Sequence, residues 1–279
     1  MKTVSRLSIT ILSDNFSSTL MPPLMGEWGF SAYIETDNAK ILYDVGNSGI
    51  PLLHNSRALG IDLESVDYLV LSHGHLDHTG GLRNEELRRK LRGKVILAHP
   101  GIFDRKFINW RDKMEYIGLP VAIDEEFRPI LTREPIEFAS GIMFSGEVKN
   151  YGFPRYVKGM YKATDAGLAP DLMLDDTALY INVKDKGLVI VTGCGHSGIL
   201  NVLNHAREVT GVRKVIGTVG GLHLLSSDPK EVQEVMDRLK TEVIKISPAH
   251  CSGNLAKVLA GEKYQEAGVG SVLNFEDIS

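Results

Sequence analysis

The feature that most constrains this chain is a short apolar run ending in a histidine cluster: VDYLVLS (66–72) leads directly into HGHLDHTGGL (73–82). Consecutive apolar residues in a run too short for a helix mark a strand covered on both faces, and such a strand needs layers above and below it. The cluster places three of the nine histidines and an aspartate in six positions. Histidine favours neither a core nor a helix, so the density calls for a chemical reason. In extended backbone His73, His75 and Asp77 share one face, because alternate side chains point the same way. A turn beyond the strand brings His78 in from another side, and Gly74, Gly80 and Gly81 permit the tight backbone. Imidazole with carboxylate suits zinc, iron or manganese.

The arrangement recurs. His196 follows GLVIVTG (187–193), His223 ends KVIGTVGG (214–221) and His250 follows EVIKISP (242–248). Each strand runs out into a Gly- or Ser-rich loop, so four strand ends offer the same chemistry to one metal site of one or two ions. A catalytic metal takes about four ligands and keeps one position open. Cys194 reads either as a small buried hydrophobe or as a thiolate near the metal. Cys251 and His99 read as structural, and His54 and His205 as ordinary surface residues.

Other segments alternate strands with helices. LSITIL, FSAYIET, AKILYDV and KVILA are strand-like, and ALYINVK with GLVIVTG makes a hairpin around DKG (185–187). A helix after GHSG aligns Ile199, Val202, Leu203 and Ala206, and one capped by Asp228 with Pro229 aligns Val232, Val235, Met236 and Leu239. The basic run within NEELRRKLRGK is the solvated face of a helix. Between 100 and 170 the pattern weakens into strands broken by long loops, a lid or pocket wall. There Glu147, Arg155 and Lys158 are candidates for substrate contact, the two cations suiting an anionic group such as phosphate. Phe153, Tyr156 and Tyr161 are candidates for stacking.

A net charge of −4 exerts no general pull on nucleic acid or anionic membrane. No apolar run nears the roughly 18 residues that span a bilayer. Two cysteines make no disulfide framework, and a reducing cytoplasm is the simplest compartment. The expected partner is a small molecule; oligomeric state is not legible.

SHGHLDHTGGL (72–82) resembles the signature of the metallo-β-lactamase superfamily. EWGFSAYIE, ILYDVGNSG, NSRALGIDL, VTGCGHSGILN, GGLHL and AHCSG extend the resemblance to the branch of 7,8-dihydropterin-6-methyl-4-(β-D-ribofuranosyl)aminobenzene-5′-phosphate synthase-like proteins. The resemblance implies one domain over 1–279, an αββα sandwich with two mixed β-sheets flanked by helices and a metal site along one edge. It further implies that His73 and His75 bind a first metal, that Asp77, His78 and His250 bind a second, and that Asp44 supports the loop by hydrogen bonding. The chain departs from the pattern twice. No third histidine of the usual kind lies between 78 and 190, which makes His196 the best replacement. A strand end commonly reading TGD reads TGC, which puts Cys194 there.

The implied activity is a zinc-type hydrolase with one or two ions, whose water has its pKa lowered from about 16 to about 7. Asp77 would orient or deprotonate that water, and His223 would be an outer acid or a donor to substrate. The alternative is a transferase joining a pterin pyrophosphate to an aminobenzene ribofuranosyl phosphate, as in methanopterin-type biosynthesis. A di-iron redox protein is a lesser alternative, since no flavodoxin-like stretch is read in the sequence.

Overall fold

The N-terminal part of the chain forms β1 (Leu7–Ser13), β2 (Ser31–Thr36), β3 (Lys40–Tyr43), β4 (Tyr68–Val70) and β5 (Val95–Ala98). Short strands follow: β6 (Lys106–Trp110), β7 (Lys113–Tyr116), β8 (Arg128–Leu131), β9 (Ile136–Ala139), β10 (Ile142–Phe144), β11 (Met160–Thr164) and β12 (Gly167–Pro170). The last are β13 (Ala178–Val183), β14 (Gly187–Thr192), β15 (Val215–Gly220), β16 (Val243–Pro248) and β17 (Val272–Asn274). The helices are α1 (Ile50–Ala58), α2 (Leu76–Thr79), α3 (Glu85–Leu91), α4 (Ile199–Thr210), α5 (Pro229–Glu242) and α6 (Gly253–Ala260). This computed structural model describes residues 1–17, 19–123 and 126–275.

Two mixed sheets face each other. One runs β17-β1-β2-β3-β4-β5-β8, antiparallel up to β3 and parallel from β3 to β8. The other runs β16-β15-β14-β13-β10-β9, with β14, β15 and β16 parallel. Alternation along each strand builds three apolar layers. Val70 and Val189 face inward with Ile9, Ile41, Phe144 and Ile181 between the sheets. Leu69 and Leu71 point outward, against Leu52 of α1 and Leu87 of α3. Leu188 and Ile190 meet the expected stripes of α4 and α5 on the far side. The sandwich is therefore the expected αββα arrangement. Asp228 caps α5 by accepting from the Lys230 amide.

The stretch from 100 to 170 differs from expectation. It adds a third, four-stranded antiparallel sheet in the order β12-β11-β6-β7, and its remaining strands extend the edges of the two main sheets. The β6–β7 turn carries no local signal, because Arg111 and Asp112 adopt φ +50° and +62° without the Gly or Asn that marks such hairpins. His205, expected at the surface, is buried on α4, where the Tyr180 hydroxyl 3.0 Å away satisfies a ring nitrogen. His54 is exposed, as expected. Among the described residues no helix is long and apolar enough to cross a membrane.

Candidate metal centre

The parallel strands deliver their carboxyl ends to one edge, where a rigid frame presents loop side chains. Asp44 follows β3 and the histidine cluster follows β4. Cys194 and His196 follow β14, His223 follows β15, and His250 and Cys251 follow β16. Extended backbone lasts only to His75, because α2 begins at Leu76, so Asp77 and His78 sit side by side on a helical turn instead of continuing the alternation. Asp44, His223 and His250 all take left-handed φ values, +56°, +51° and +49°. Strain of this kind is kept only where the surroundings fix it.

Hydrogen bonds set the ring tautomers. Asp44 Oδ2 accepts from the Ser72 hydroxyl at 2.7 Å and lies 2.7 Å from His78 Nδ1. A carboxylate accepts only, so Nδ1 of His78 carries its proton and Nε2 faces the cluster. The Ser72 hydroxyl has given its one proton to Asp44 and accepts from His73 Nδ1 at 2.9 Å, which leaves His73 Nε2 without a proton, as an acceptor facing the cluster. His196 Nδ1 donates to the Tyr156 carbonyl at 2.8 Å. Gly193 leaves room for this network, since a Cβ there would collide with the Ser72 hydroxyl.

Two donor groups result. In the first, His73 Nε2 lies 3.1 Å from His75 Nδ1, and donor atoms of His73, His196 and Cys194 fall within 4.8 Å of one another. In the second, donor atoms of Asp77, His78, His250 and Cys194 fall within 4.8 Å, with His250 Nε2 3.2 Å from Asp77 and His78 Nε2 3.1 Å from Cys194 Sγ. Cys194 belongs to both, at the position between them. His196 Nε2 is buried without a hydrogen-bond partner. A lone pair orphaned beside another imidazole lone pair is costly, and a divalent cation would satisfy both, so these donors fit a metal.

The electrostatics agree. Burial, reinforced by neighbouring imidazoles, pushes His73 and His196 well below their ordinary value, and burial pushes His75 down to about 3. These rings stay neutral, the state that ligates. Burial alone would raise the Asp77 carboxyl, but His78 and His250 hold it below the usual range. Burial would lower His250, yet Cys251 and Asp77 raise it to about 9.

Residues not foreseen from sequence hold these side chains in place. Trp28 Nε1 donates to Asp77 at 3.1 Å, and Asn15 pairs with both the ring and the carbonyl of His250. Lys106 Nζ, buried on the third sheet, binds Asp171 at 2.8 Å and Asp175 at 2.7 Å, while Asp175 accepts from the Gly74 amide between the first two histidines. None of these carries a local signal, because each partner is remote in sequence.

Of the residues expected on the substrate side, Tyr156 touches the donor groups, its carbonyl accepting from His196 Nδ1 and its ring lying 6.4 Å from that of His223, whereas Arg155 and Glu147 are held by other partners. Arg155 donates to the carbonyls of Val148 and Met173 and to the Ser197 hydroxyl. Glu147 pairs with Arg133 and lies 3.3 Å from His99 Nε2. Lys158 is exposed. Phe153 and Tyr156 pack against the core beside α4. A cavity of about 430 Å³ opens elsewhere, on the His250 side, lined by Phe16, Trp28, Leu224, Leu225 and Leu255.

A profile of the metallo-beta-lactamase superfamily matches residues 29–147. The 7,8-dihydropterin-6-methyl-4-(beta-D-ribofuranosyl)-aminobenzene-5'-phosphate synthase of Methanocaldococcus jannaschii is 31% identical, the match covering 94% of this chain and 93% of that protein. MJ0448, an uncharacterised protein of the same organism, is 34% identical over 88% of this chain and 90% of its own. Among solved structures, Tm1679, described as a metal-dependent hydrolase of the beta-lactamase superfamily, matches with a TM-score of 0.80 at 26% identity, covering 97% of this chain and 100% of that one. YhfI from Bacillus subtilis shares the fold, with a TM-score of 0.57 at 11% identity over 97% and 100% of the two chains.

Proposed function

This chain belongs to the metallo-β-lactamase superfamily, and from that premise we propose that it is a metal-dependent transferase coupling a pterin pyrophosphate to an aminobenzene ribofuranosyl phosphate. The observation that carries the reading is the meeting of the donor cluster with an apolar cavity at His250, which offers an arylamine acceptor a seat beside the site. Cavities of this size suit small organic ligands, and the synthase relative matches along nearly the whole chain.

His73, His75 and His196 would hold a first ion of zinc type, and Asp77, His78 and His250 a second, with Cys194 between them. When bound, these ions supply Lewis acidity at the leaving-group oxygens. Asp77, steadied by Trp28, orients the proton-bearing atom of the acceptor. His223 donates a hydrogen bond to the departing group. Lys158 meets a phosphate from the exposed loop, while Arg155 and Glu147 shape the wall through their protein partners. Asp44 acts through His78 and Ser72.

Hydrolysis is the second reading, favoured by the description of Tm1679; water then takes the acceptor's place. Incubating the metal-loaded protein with both substrates separates the two. A coupled pterin–arylamine product supports transfer, and release of pterin alcohol with the amine unused supports hydrolysis. If neither substrate is consumed, both readings fail.

A further inference from the structure

Of the two cysteines, Cys251 is the one the proposed chemistry leaves unused. Its Sγ, a ring nitrogen of His223 and Cys194 Sγ all lie within 4.8 Å of one another. Both cysteines are free and buried, and Cys251 Sγ lies 3.4 Å from the Cys194 carbonyl. The three residues follow β14, β15 and β16, neighbouring parallel strands of one sheet, so their spacing rests on rigid ladders. Residue 221 has to be glycine for the two cysteines to pack this closely against it. A Cβ there would lie 2.8 Å from Cys251 Sγ and 2.9 Å from Cys194 Cα. His223 Nδ1 is buried without a hydrogen-bond partner.

We propose that Cys194, His223 and Cys251 form a third metal position, selective for a thiophilic cation such as Cd(II), Zn(II) or Cu(I). The donor set is what separates it from the other two. Those groups draw mainly on imidazole and carboxylate, which accept many divalent ions, whereas two sulfurs and one nitrogen favour a soft ion. A Cys₂His set is also one that holds zinc with a coordination position left open. A ring ligating through one nitrogen keeps an N–H on the other, so His223 retains the hydrogen bond assigned to it above. The inference rests on the metal-centre reading only through Cys194, which the third position shares with the other two.

Titration of the metal-free protein with Cd(II), followed by the thiolate-to-cadmium absorption band and by bound-metal analysis, tests it. The wild type should reach a band of two-thiolate intensity. Cys251→Ser should lose about half of that intensity and bind one ion fewer, while the imidazole-rich groups still fill. His223→Ala should keep the band but require at least about tenfold more Cd(II) to develop it, and this holds as a separate test if Cys251→Ser does not fold. A Cys251→Ser band equal to the wild type, or an unchanged His223→Ala titration, overturns the third position and leaves the other two intact. A wild type that binds no Cd(II) overturns the metal-centre reading with it.

Discussion

The Asp44 carboxylate lies 2.7 Å from Nδ1 of His78, with both side chains fully buried, and the same oxygen accepts from the Ser72 hydroxyl. One carboxylate thus fixes a histidine of the second donor group directly and His73 of the first through Ser72. In Asp44→Asn one acceptor oxygen becomes a donor, and both rings lose their enforced tautomer. Metal affinity should fall about 10–100-fold at each group, as is usual when a ligand's supporting partner is removed. Competition against a chromogenic chelator measures this, and undiminished affinity at both groups would show that Asp44 does not set the rings.

Metal removal should lower thermal stability. At ion concentrations near 100 times the dissociation constant, a bound ion contributes about 2.7 kcal/mol. For a chain of this length that corresponds to about 5–10 °C. Thermal unfolding with and without chelator, repeated across ion concentrations, tests the coupling; a midpoint indifferent to both would rule it out.

The metal-free protein should lose stability on both sides of neutrality. His75 falls from an ordinary 6.5 to about 3, and His73 and His196 are lowered too. The unfolded chain then takes up protons first, so this stabilisation is complete above pH 6.5 and disappears as the pH falls toward 3. His250 has the opposite sign: raised to about 9, its contribution is complete below 6.5 and is lost as the pH rises through 9. Urea midpoints across pH should trace both limbs, and His250→Gln should flatten the alkaline one. An alkaline limb unchanged in that variant would refute the assignment.

Lys106→Met should be severe. It leaves Asp171 and Asp175 buried without their cation, and breaking such a pair costs about 3–5 kcal/mol. Asp175 also holds the Gly74 amide, so metal affinity at the first group should fall with stability. Urea unfolding measures the loss; a variant as stable as the parent would mean that the triad does not secure the motif loop.

Legibility followed distance along the chain. His73, His75, Asp77 and His78 stood out because they are adjacent, and His196, His223 and His250 because each ends an apolar run. Trp28 on Asp77 and Asn15 on His250 bridge 49 and 235 positions, and nothing local marks them. His205 looked like surface because its partner, Tyr180, lies on another element. The third sheet was hidden by short strands and a hairpin turn without its usual residues.

By itself the sequence determined the pattern of strands and helices and the donors at the strand ends, because periodicity and donor type are local properties of neighbouring residues, while the layered sandwich was implied by the family resemblance. Only the tertiary structure decided which donors share a group, which ring nitrogen each presents, and that Cys194 stands between the groups with Cys251 within reach. Those depend on how parallel strands from two sheets align their carboxyl ends, a matter of packing across hundreds of residues that no short stretch encodes.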